Sequence, residues 1–178
     1  MMKKTLMMAM MLVALVGCTD THKKVEGDAV ISQNDSVMAE NGYEVVPLFK
    51  TRTGHLTATM RVNGKACVFL IDTGGGATLI DVEKKERYGL EAFRTGDYAA
   101  GIGSVRRLVR TSAIVRVNEQ ETREDSLFLM DISYLNVEFK KNHSRQVDGV
   151  LGTDFMERHR AVIDYSTSRM YLKMDSPR

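Results

Sequence analysis

The chain has 178 residues with no tryptophan, two prolines and two cysteines, and these shortages exclude several kinds of protein and site. So few prolines exclude a proline-rich spacer. Neither cysteine belongs to a Cys-x-x-Cys pair, and the four histidines never show a His-x-x-x-His spacing. The sequence therefore predicts no metal site and no cofactor. A Gly-x-Ser-x-Gly motif is also missing, which argues against a serine hydrolase.

An excess of charge of either sign is missing as well. Lysine and arginine total 25, against 23 aspartate and glutamate residues. The first 17 residues hold two of the lysines and no acid, so the rest of the chain has 23 residues of each sign. A balanced charge gives no indication of a nucleic-acid partner.

The N-terminus lacks an apolar run long enough to cross a bilayer comfortably. Lys3 and Lys4 precede the short apolar stretch Leu6–Val16, an arrangement typical of a secretory signal. Leu15–Val16–Gly17–Cys18 resembles the lipobox of bacterial lipoproteins, in which the cysteine is lipidated. An ordinary secretory signal followed by a chance cysteine is the alternative.

The lipobox resemblance implies a division of the chain into three parts. Residues 1–17 are the predicted signal peptide, and residues 18–42, which are polar with little periodicity, are the lipidated Cys18 and a flexible tether. Residues 43–178 are the predicted folded domain. The implied location is the bacterial cell envelope, where the lipid anchors the protein to a membrane facing the periplasm or the exterior. Cys67 then has no disulfide partner and is predicted to be a buried structural thiol.

The most informative stretch of the domain is an apolar run that ends in an acid. Val68–Phe69–Leu70–Ile71 predicts a buried strand, and Asp72–Thr73–Gly74–Gly75–Gly76 follows it directly. A carboxylate in apolar surroundings is costly unless its environment compensates for the charge, and such environments suit catalysis. The glycines allow a tight turn and the close approach of a ligand. Asp72 is therefore a candidate catalytic residue.

This Asp-Thr-Gly, with Ala77–Thr78–Leu79–Ile80 after it, resembles the active-site loop of aspartic proteases, in particular the retropepsin-like branch and its bacterial relatives. A second block, Val147–Asp148–Gly149–Val150–Leu151–Gly152, resembles the family segment in which an apolar strand runs into a short helix. The resemblance extends from Tyr43 to Met174. It implies an all-β, retropepsin-like half-barrel with two short helices, closed by homodimerisation.

The resemblance also implies an aspartic endopeptidase that acts on a peptide or protein substrate. Asp72, Thr73 and Gly74 are the implied catalytic residues, and water is activated between two aspartates that share one proton. Because the chain has a single triplet of this kind, the resemblance implies that the second Asp72 comes from a second copy in a homodimer. Thr73 would hydrogen-bond across the axis, and Gly74 would leave room for the substrate backbone.

Substrate-binding positions are implied in two further places. One is the remainder of the glycine loop, Gly75 and Gly76. The other is a glycine-rich hairpin tip, similar to the flap of retroviral enzymes, made of Ala100, Gly101, Ile102 and Gly103. An ordinary surface hairpin would fit those residues equally well. Gly75 departs from the family, in which alanine or serine commonly follows the triplet, and it lacks a hydroxyl that could orient the carboxylate.

The other elements follow from local signals. Asn63–Gly64 predicts a two-residue hairpin turn, and Val82–Tyr88 predicts a short surface helix capped by the preceding aspartate. Thr153 predicts the cap of a second short helix. Pro47 predicts an edge strand, and Asp131–Val147 predicts a long polar loop.

Two other functions fit parts of the sequence. Leu70–Thr78 is also similar to the phosphate loop of actin-like and sugar-kinase ATPases, but those proteins need two large lobes that about 130 folded residues cannot supply. The second alternative is a non-catalytic lipoprotein that keeps the protease fold to bind peptides or to dimerise, since a fold does not fix a function. The intact Asp72–Thr73–Gly74 favours the protease.

Overall fold

A computed structural model describes residues 33–93, 98–101 and 104–174. The strands are β1 (Glu44–Lys50), β2 (Leu56–Val62), β3 (Lys65–Ile71), β4 (Leu79–Asp81), β5 (Tyr98–Gly101), β6 (Ser104–Arg107), β7 (Val109–Val117), β8 (Gln120–Met130), β9 (Gly149–Leu151), β10 (Val162–Asp164) and β11 (Arg169–Leu172). The helices are α1 (residues 33–40), α2 (Lys85–Tyr88, after the 3-10 turn Val82–Lys84), α3 (Ser133–Lys141) and α4 (Thr153–Arg158). The predicted mainly β class is confirmed.

The larger sheet closes on itself. Its strand order is β10-β11-β1-β2-β3-β9-β4-β8-β7, and β2 also pairs with β7, where Val62 lies opposite Val115. The strands β2, β3, β9, β4, β8 and β7 therefore form a closed barrel. β5 and β6 form a separate antiparallel hairpin.

The predicted hairpin turn and the first predicted helix are confirmed. Asn63 and Gly64 join β2 to β3 with φ angles of 46° and 78°, the left-handed values that a type I′ turn needs and that glycine and asparagine tolerate best. The Asp81 carboxylate accepts a hydrogen bond from the N–H of Glu83 at 3.2 Å. Gly89, with φ 60°, ends the helix in the left-handed conformation typical of a C-terminal glycine.

Alternate residues of β3 face two different apolar clusters. Cys67 and Phe69 belong to the larger cluster, which also takes in residues of β1, β2, β7, β8 and β11. Val68 and Leu70 belong to a second cluster, completed by Leu79, Leu108, Met130, Ile132, Phe139, Val147 and Val150. Because β3 is apolar on both faces, it is held in the interior of the fold right up to the loop that follows it.

The edge position predicted for Pro47 is wrong, because β1 lies between β11 and β2. Pro47 is opposite Arg169, the last of the β1–β11 pairs, and the next residue, Leu48, is opposite Ala58 of β2. The proline thus stands where the strand changes partner. Since a proline has no N–H to donate, this is a position at which it disrupts little ladder pairing.

The long polar loop predicted at Asp131–Val147 is also wrong, since most of it is α3. Phe139 is buried in the second cluster. Asn136 is buried too, and its side-chain amide both donates to the carbonyl and accepts from the N–H of Val147, at 2.9 Å each. A helix anchored by one aromatic ring and one amide has too few apolar residues to give a clear periodic signal.

Part of the predicted tether is helical rather than flexible coil. In α1, the carboxylate of Asp35 accepts a hydrogen bond from the Tyr171 hydroxyl at 3.0 Å and lies 3.6 Å from the guanidinium of Arg169. These contacts dock α1 on β11. The predicted signal peptide, Cys18 and the rest of the tether up to residue 32 lie outside the described residues. Among the helices that the structure describes, none combines the length and the apolar character that a bilayer span requires.

Candidate active site

The glycine loop begins where β3 ends, and two backbone hydrogen bonds fix its first residue. The N–H of Asp72 donates to the carbonyl oxygen of Leu151 at 3.1 Å, which continues the parallel pairing of Ile71 with Leu151. The N–H of Gly75 donates back to the carbonyl oxygen of Asp72 at 3.2 Å. Asp72 is therefore the first residue of a hydrogen-bonded turn, and its position relative to the sheet is fixed.

The carboxylate of Asp72 is half-buried, while Thr73 and Gly74 are exposed. The N–H of Gly74 donates to Oδ1 of Asp72 at 3.0 Å. A carboxylate at the surface of a turn, oriented by a backbone N–H, is accessible to a ligand and pre-oriented at the same time. The predicted catalytic triplet thus lies together on one exposed loop.

The second sequence block, which contains β9, holds this loop in place. β9 is inserted between β3 and β4, pairing with β3 in parallel and with β4 in antiparallel fashion. Beyond β9, the N–H and hydroxyl of Thr153 both donate to the carbonyl oxygen of Gly75, at 2.8 and 3.2 Å. The predicted capping role of Thr153 is wrong, because Gly152 occupies the cap position of α4 without a side-chain bond. The hydroxyl of Thr153 binds the glycine loop instead.

A hydrogen-bond chain through the buried Thr78 joins the other end of the loop to α4. The Thr78 hydroxyl donates to Oδ1 of Asp154 at 2.6 Å and accepts from the N–H of Gly152 at 3.1 Å. The same Asp154 oxygen accepts from the N–H of Phe155 at 2.7 Å. Asp154 lies in the first turn of α4. The role of Thr78 was missed, although a hydroxyl residue inside an apolar run is a signal for a buried polar contact.

Two glycines of the second block are required by close backbone contact. A Cβ at Gly152 would lie 2.5 Å from the backbone of Ala77, and one at Gly149 would lie 2.4 Å from the carbonyl oxygen of Leu79. Both distances are far inside van der Waals contact, so only glycine lets β9 approach the chain that leaves the loop. The recurrence of glycine in this block has a packing cause.

The predicted hairpin is present, and its tip is only partly described. β5 and β6 pair with Ala100 opposite Val105 and Gly101 opposite Ser104. Ile102 and Gly103, which were predicted as substrate-binding, lie outside the described residues. Of the predicted substrate-binding glycines in the loop, Gly75 is half-buried and Gly76 is exposed.

Cys67 is fully buried and free, as predicted for a structural thiol. Burial raises the pKa of the Cys67 thiol far above its ordinary value, so the thiol stays protonated and unreactive. Across the described ranges, no group of three or more His, Cys, Asp or Glu side chains is arranged to hold a metal ion.

Sequence reasoning missed a polar cluster at the end of α4, in which Glu124 and His159 are buried and Arg158 is exposed. His159 Nε2 lies 2.7 Å from Oε1 of Glu124, and Arg158 contacts the other carboxylate oxygen. His159 Nδ1 lies 3.1 Å from the carbonyl oxygen of Lys173 and must carry a proton there, because a carbonyl only accepts. This cluster connects α4 to β8 and the C-terminal strand. Because α4 supports the glycine loop, the cluster also stabilises that support. Glu124 alternates with exposed charges along β8, so its burial had no sequence signal.

Known proteins resemble this chain over the region just described. The family model described as "Aspartyl protease" matches residues 58–155, more than half of the chain. DNA damage-inducible protein 1 of Cryptococcus neoformans var. neoformans serotype D (strain JEC21) is 29% identical over 118 residues, which are 65% of this chain and 24% of that protein. The chain thus spans about a quarter of the length of this relative.

Two solved structures are similar at low identity. A retropepsin-like aspartic protease from Rickettsia conorii is 19% identical with a TM-score of 0.48, over 74% of this chain and 89% of that one. An EIAV protease complexed with an inhibitor is 17% identical with a TM-score of 0.46, over 61% and 90% respectively. From the match of the family model, which includes the Asp72 loop and its supporting strand β9, the chain belongs to the aspartyl protease family.

Proposed function

We propose that the protein is an aspartic endopeptidase whose active site forms between two copies of the chain, each supplying one Asp72. The observation that carries the proposal is the contrast between the two acids near the loop. Asp72 is half-exposed and held by the turn itself, whereas Asp154 is occupied by Thr78 and the start of α4. Asp154 therefore cannot serve as the second catalytic acid, and a second copy of Asp72 can.

The chemistry follows from bringing two carboxylates together. At about 3 Å apart the two groups cannot both be ionised, so they share one proton, which is established for aspartic proteases in general. The ionised carboxylate takes a proton from water while the protonated one polarises the scissile carbonyl. The Gly74 N–H, which holds Oδ1 of Asp72, would keep each carboxylate oriented through this exchange.

A concave surface beside Thr73 suits the second copy. It encloses about 220 Å³ and is lined by Thr73, Thr153, Met156, Glu157, Arg160, Ala161 and Ile163. Apolar side chains beside an exposed loop favour association. In a two-fold homodimer with Thr73 near the axis, the two exposed loops would face each other.

The remaining parts of the proposal concern access and location. The β5–β6 hairpin, with Ala100, Gly101, Ile102 and Gly103 at its tip, is the proposed lid over a bound peptide, since glycines lower the cost of backbone movement. The proposed anchor is a lipid on Cys18, which would hold the enzyme at a membrane of a bacterial cell envelope. The lipobox-like residues before Cys18 support this part.

The direct test is an unbiased peptide-library digest with the chain from Thr19 onward, which omits the lipid attachment site and keeps α1 on β11. We expect cleavage that a peptide-mimetic aspartic protease inhibitor blocks and that an Asp72→Asn control lacks. Peptide binding without cleavage by the unmodified chain would instead support the non-catalytic alternative. Cleavage retained by Asp72→Asn would refute the proposal.

A further inference from the structure

The helix α1 and the edge strand β10 present exposed apolar side chains on one surface. Val37 of α1 is 51% exposed, Val162 of β10 is 45% exposed, and Tyr165, which follows β10, is 70% exposed. All three line a concave surface of about 480 Å³, here called the α1–β10 surface, together with Met38 and Ile163. Single exposed apolar residues are ordinary, whereas a group of them on one surface marks a place where something binds.

The α1–β10 surface continues into the smaller concave surface beside the glycine loop. Ile163 lines both of them, and the smaller one contains Thr73 of the catalytic triplet. Ile163 is half-buried and packs against the larger apolar cluster, so its position between the two surfaces is fixed. One face of the molecule therefore extends from the loop of Asp72 across β10 to α1.

The composition of this face suits a second copy of the same face. Besides its apolar side chains, it carries an exposed acid, Glu157, and an exposed base, Arg160, on the part beside Thr73. In a two-fold contact every pairing occurs twice, so the acid of each copy can meet the base of the other. Apolar side chains at the centre of such a contact exclude water from it. The same face would thus be complementary to itself.

We propose that α1 is part of the surface through which two copies of the chain associate, so that a segment preceding the barrel controls assembly of the active site. The inference rests on the proposed protease function, in which one site needs two Asp72 residues. Asp35 holds α1 in place for this contact through the Tyr171 hydroxyl and the guanidinium of Arg169. Docking of the helix on β11 and association of the two copies are then linked, because the docked helix supplies Val37 to the interface.

Two valines provide a matched pair of variants. Val37 in α1 and Val137 in α3 are both helical and both 51% exposed, but Val137 lines neither of the two concave surfaces. Lysine is a better helix former than valine, so Val37→Lys and Val137→Lys weaken neither helix. Each variant adds one positive charge, and only the first adds it to the proposed interface.

Sedimentation equilibrium of the chain from Thr19 onward, which keeps every described residue, measures the Kd of the homodimer. In Val37→Lys we expect the Kd to rise about tenfold or more, since the charge is buried once from each copy. In Val137→Lys it should stay within about twofold of the wild type. The specific activity of Val37→Lys should fall at low protein concentration and return to the wild-type value once the protein is concentrated enough to be dimeric.

Asp35→Ala tests whether the docked position of α1 matters. It removes the contacts with β11, so the Kd should rise about threefold or more because the helix must then be ordered during association. A tighter dimer in Asp35→Ala would mean that α1 shields the surface, and would overturn the inference. It is also overturned if the wild type stays monomeric, if Val37→Lys keeps the wild-type Kd, or if both lysine variants weaken the dimer equally. A wild type that dimerises and cleaves no peptide would refute the proposed function alone, and the sedimentation data would still decide the role of α1.

Discussion

Asp72 and Asp154 lie at glycine-containing bends that follow two neighbouring strands, and their carboxylates have different hydrogen-bond partners. Both follow short apolar strands, β3 and β9, that run parallel to each other. The first bend is open: Thr73 and Gly74 are exposed, and a side chain added at Gly76 would meet nothing. The second bend is closed: at Gly152 a side chain would collide with the backbone of Ala77. The acid of the first bend is held by its own turn, whereas the acid of the second bend is held by Thr78 and the start of α4.

The comparison shows how similar local chemistry can serve structure in one place and function in another. Asp154 accepts hydrogen bonds from Thr78 and Phe155, so its carboxylate holds the end of the loop in place. Asp72 accepts its hydrogen bond from its own turn and keeps an exposed side. A carboxylate that accepts hydrogen bonds from another segment of the chain stabilises a fold, whereas an accessible carboxylate that is oriented by its own turn can exchange protons.

The largest expected effects come from the same isosteric change at the two acids. Asp72→Asn should reduce peptide cleavage by about 10³-fold or more, since an amide cannot act as the base, and should leave the free energy of unfolding nearly unchanged. Asp154→Asn should keep cleavage within about threefold of the wild type and cost about 1 kcal/mol, because its hydrogen bonds become neutral ones. Steady-state kinetics and urea unfolding of both variants check this. If Asp154→Asn lost activity while its free energy of unfolding stayed unchanged, the structural role assigned to Asp154 would be wrong.

The next largest effect is expected at the closed bend. Gly152→Ala should destabilise the fold by about 3 kcal/mol, because the added methyl group meets backbone that cannot rotate away. Gly76→Ala, at the open bend, should change the free energy of unfolding by less than about 0.5 kcal/mol. Urea unfolding measures both. Equal stability of the two variants would show that β9 does not pack as tightly against the loop as the distances indicate.

A smaller effect is expected from a third acid, Asp81, at the end of β4. Burial raises the pKa of Asp81 above its ordinary value of 3.8, the nearby Asp131 adds to the rise, and the N–H of Glu83 opposes it. For a raised pKa, the stabilising contribution is complete below pH 3.8 and is lost as the pH rises through the folded-state pKa. Asp81→Asn keeps an oxygen for the helix cap and removes the titration.

The free energy of unfolding of Asp81→Asn should therefore fall less than that of the wild type between pH 3.8 and neutrality. Denaturant unfolding across this range measures the difference. Parallel pH profiles of the two proteins would mean that the buried carboxyl titrates normally.

Much of the fold and the loop could be predicted because the signals are local. The apolar run into Asp72, the Asn63–Gly64 turn and the capped helix after Asp81 each depend on neighbours in sequence, and each is confirmed. The order of the two blocks along the chain predicted the protein family, and the match to the aspartyl protease model confirms it.

What failed or was missed depends on contacts distant in sequence. The helix α3 packs through Phe139 against residues far along the chain, such as Val68 and Leu70, and α1 is held by Asp35 on β11. The bonds of Thr78 and Thr153 cross between the two blocks, over 76 and 78 positions. No periodicity predicts such pairings, because they arise only once β9 is inserted between β3 and β4.

The central claim is that one active site needs two copies of Asp72, and subunit mixing tests it most directly. Wild-type and Asp72→Asn chains are mixed in equal amounts, allowed to exchange subunits, and assayed at constant total protein. If each site needs two intact acids, random pairing leaves about a quarter of the activity of an equal amount of wild type. Activity of about half, in linear proportion to the wild-type chains present, would mean that each chain carries its own site and would contradict the account.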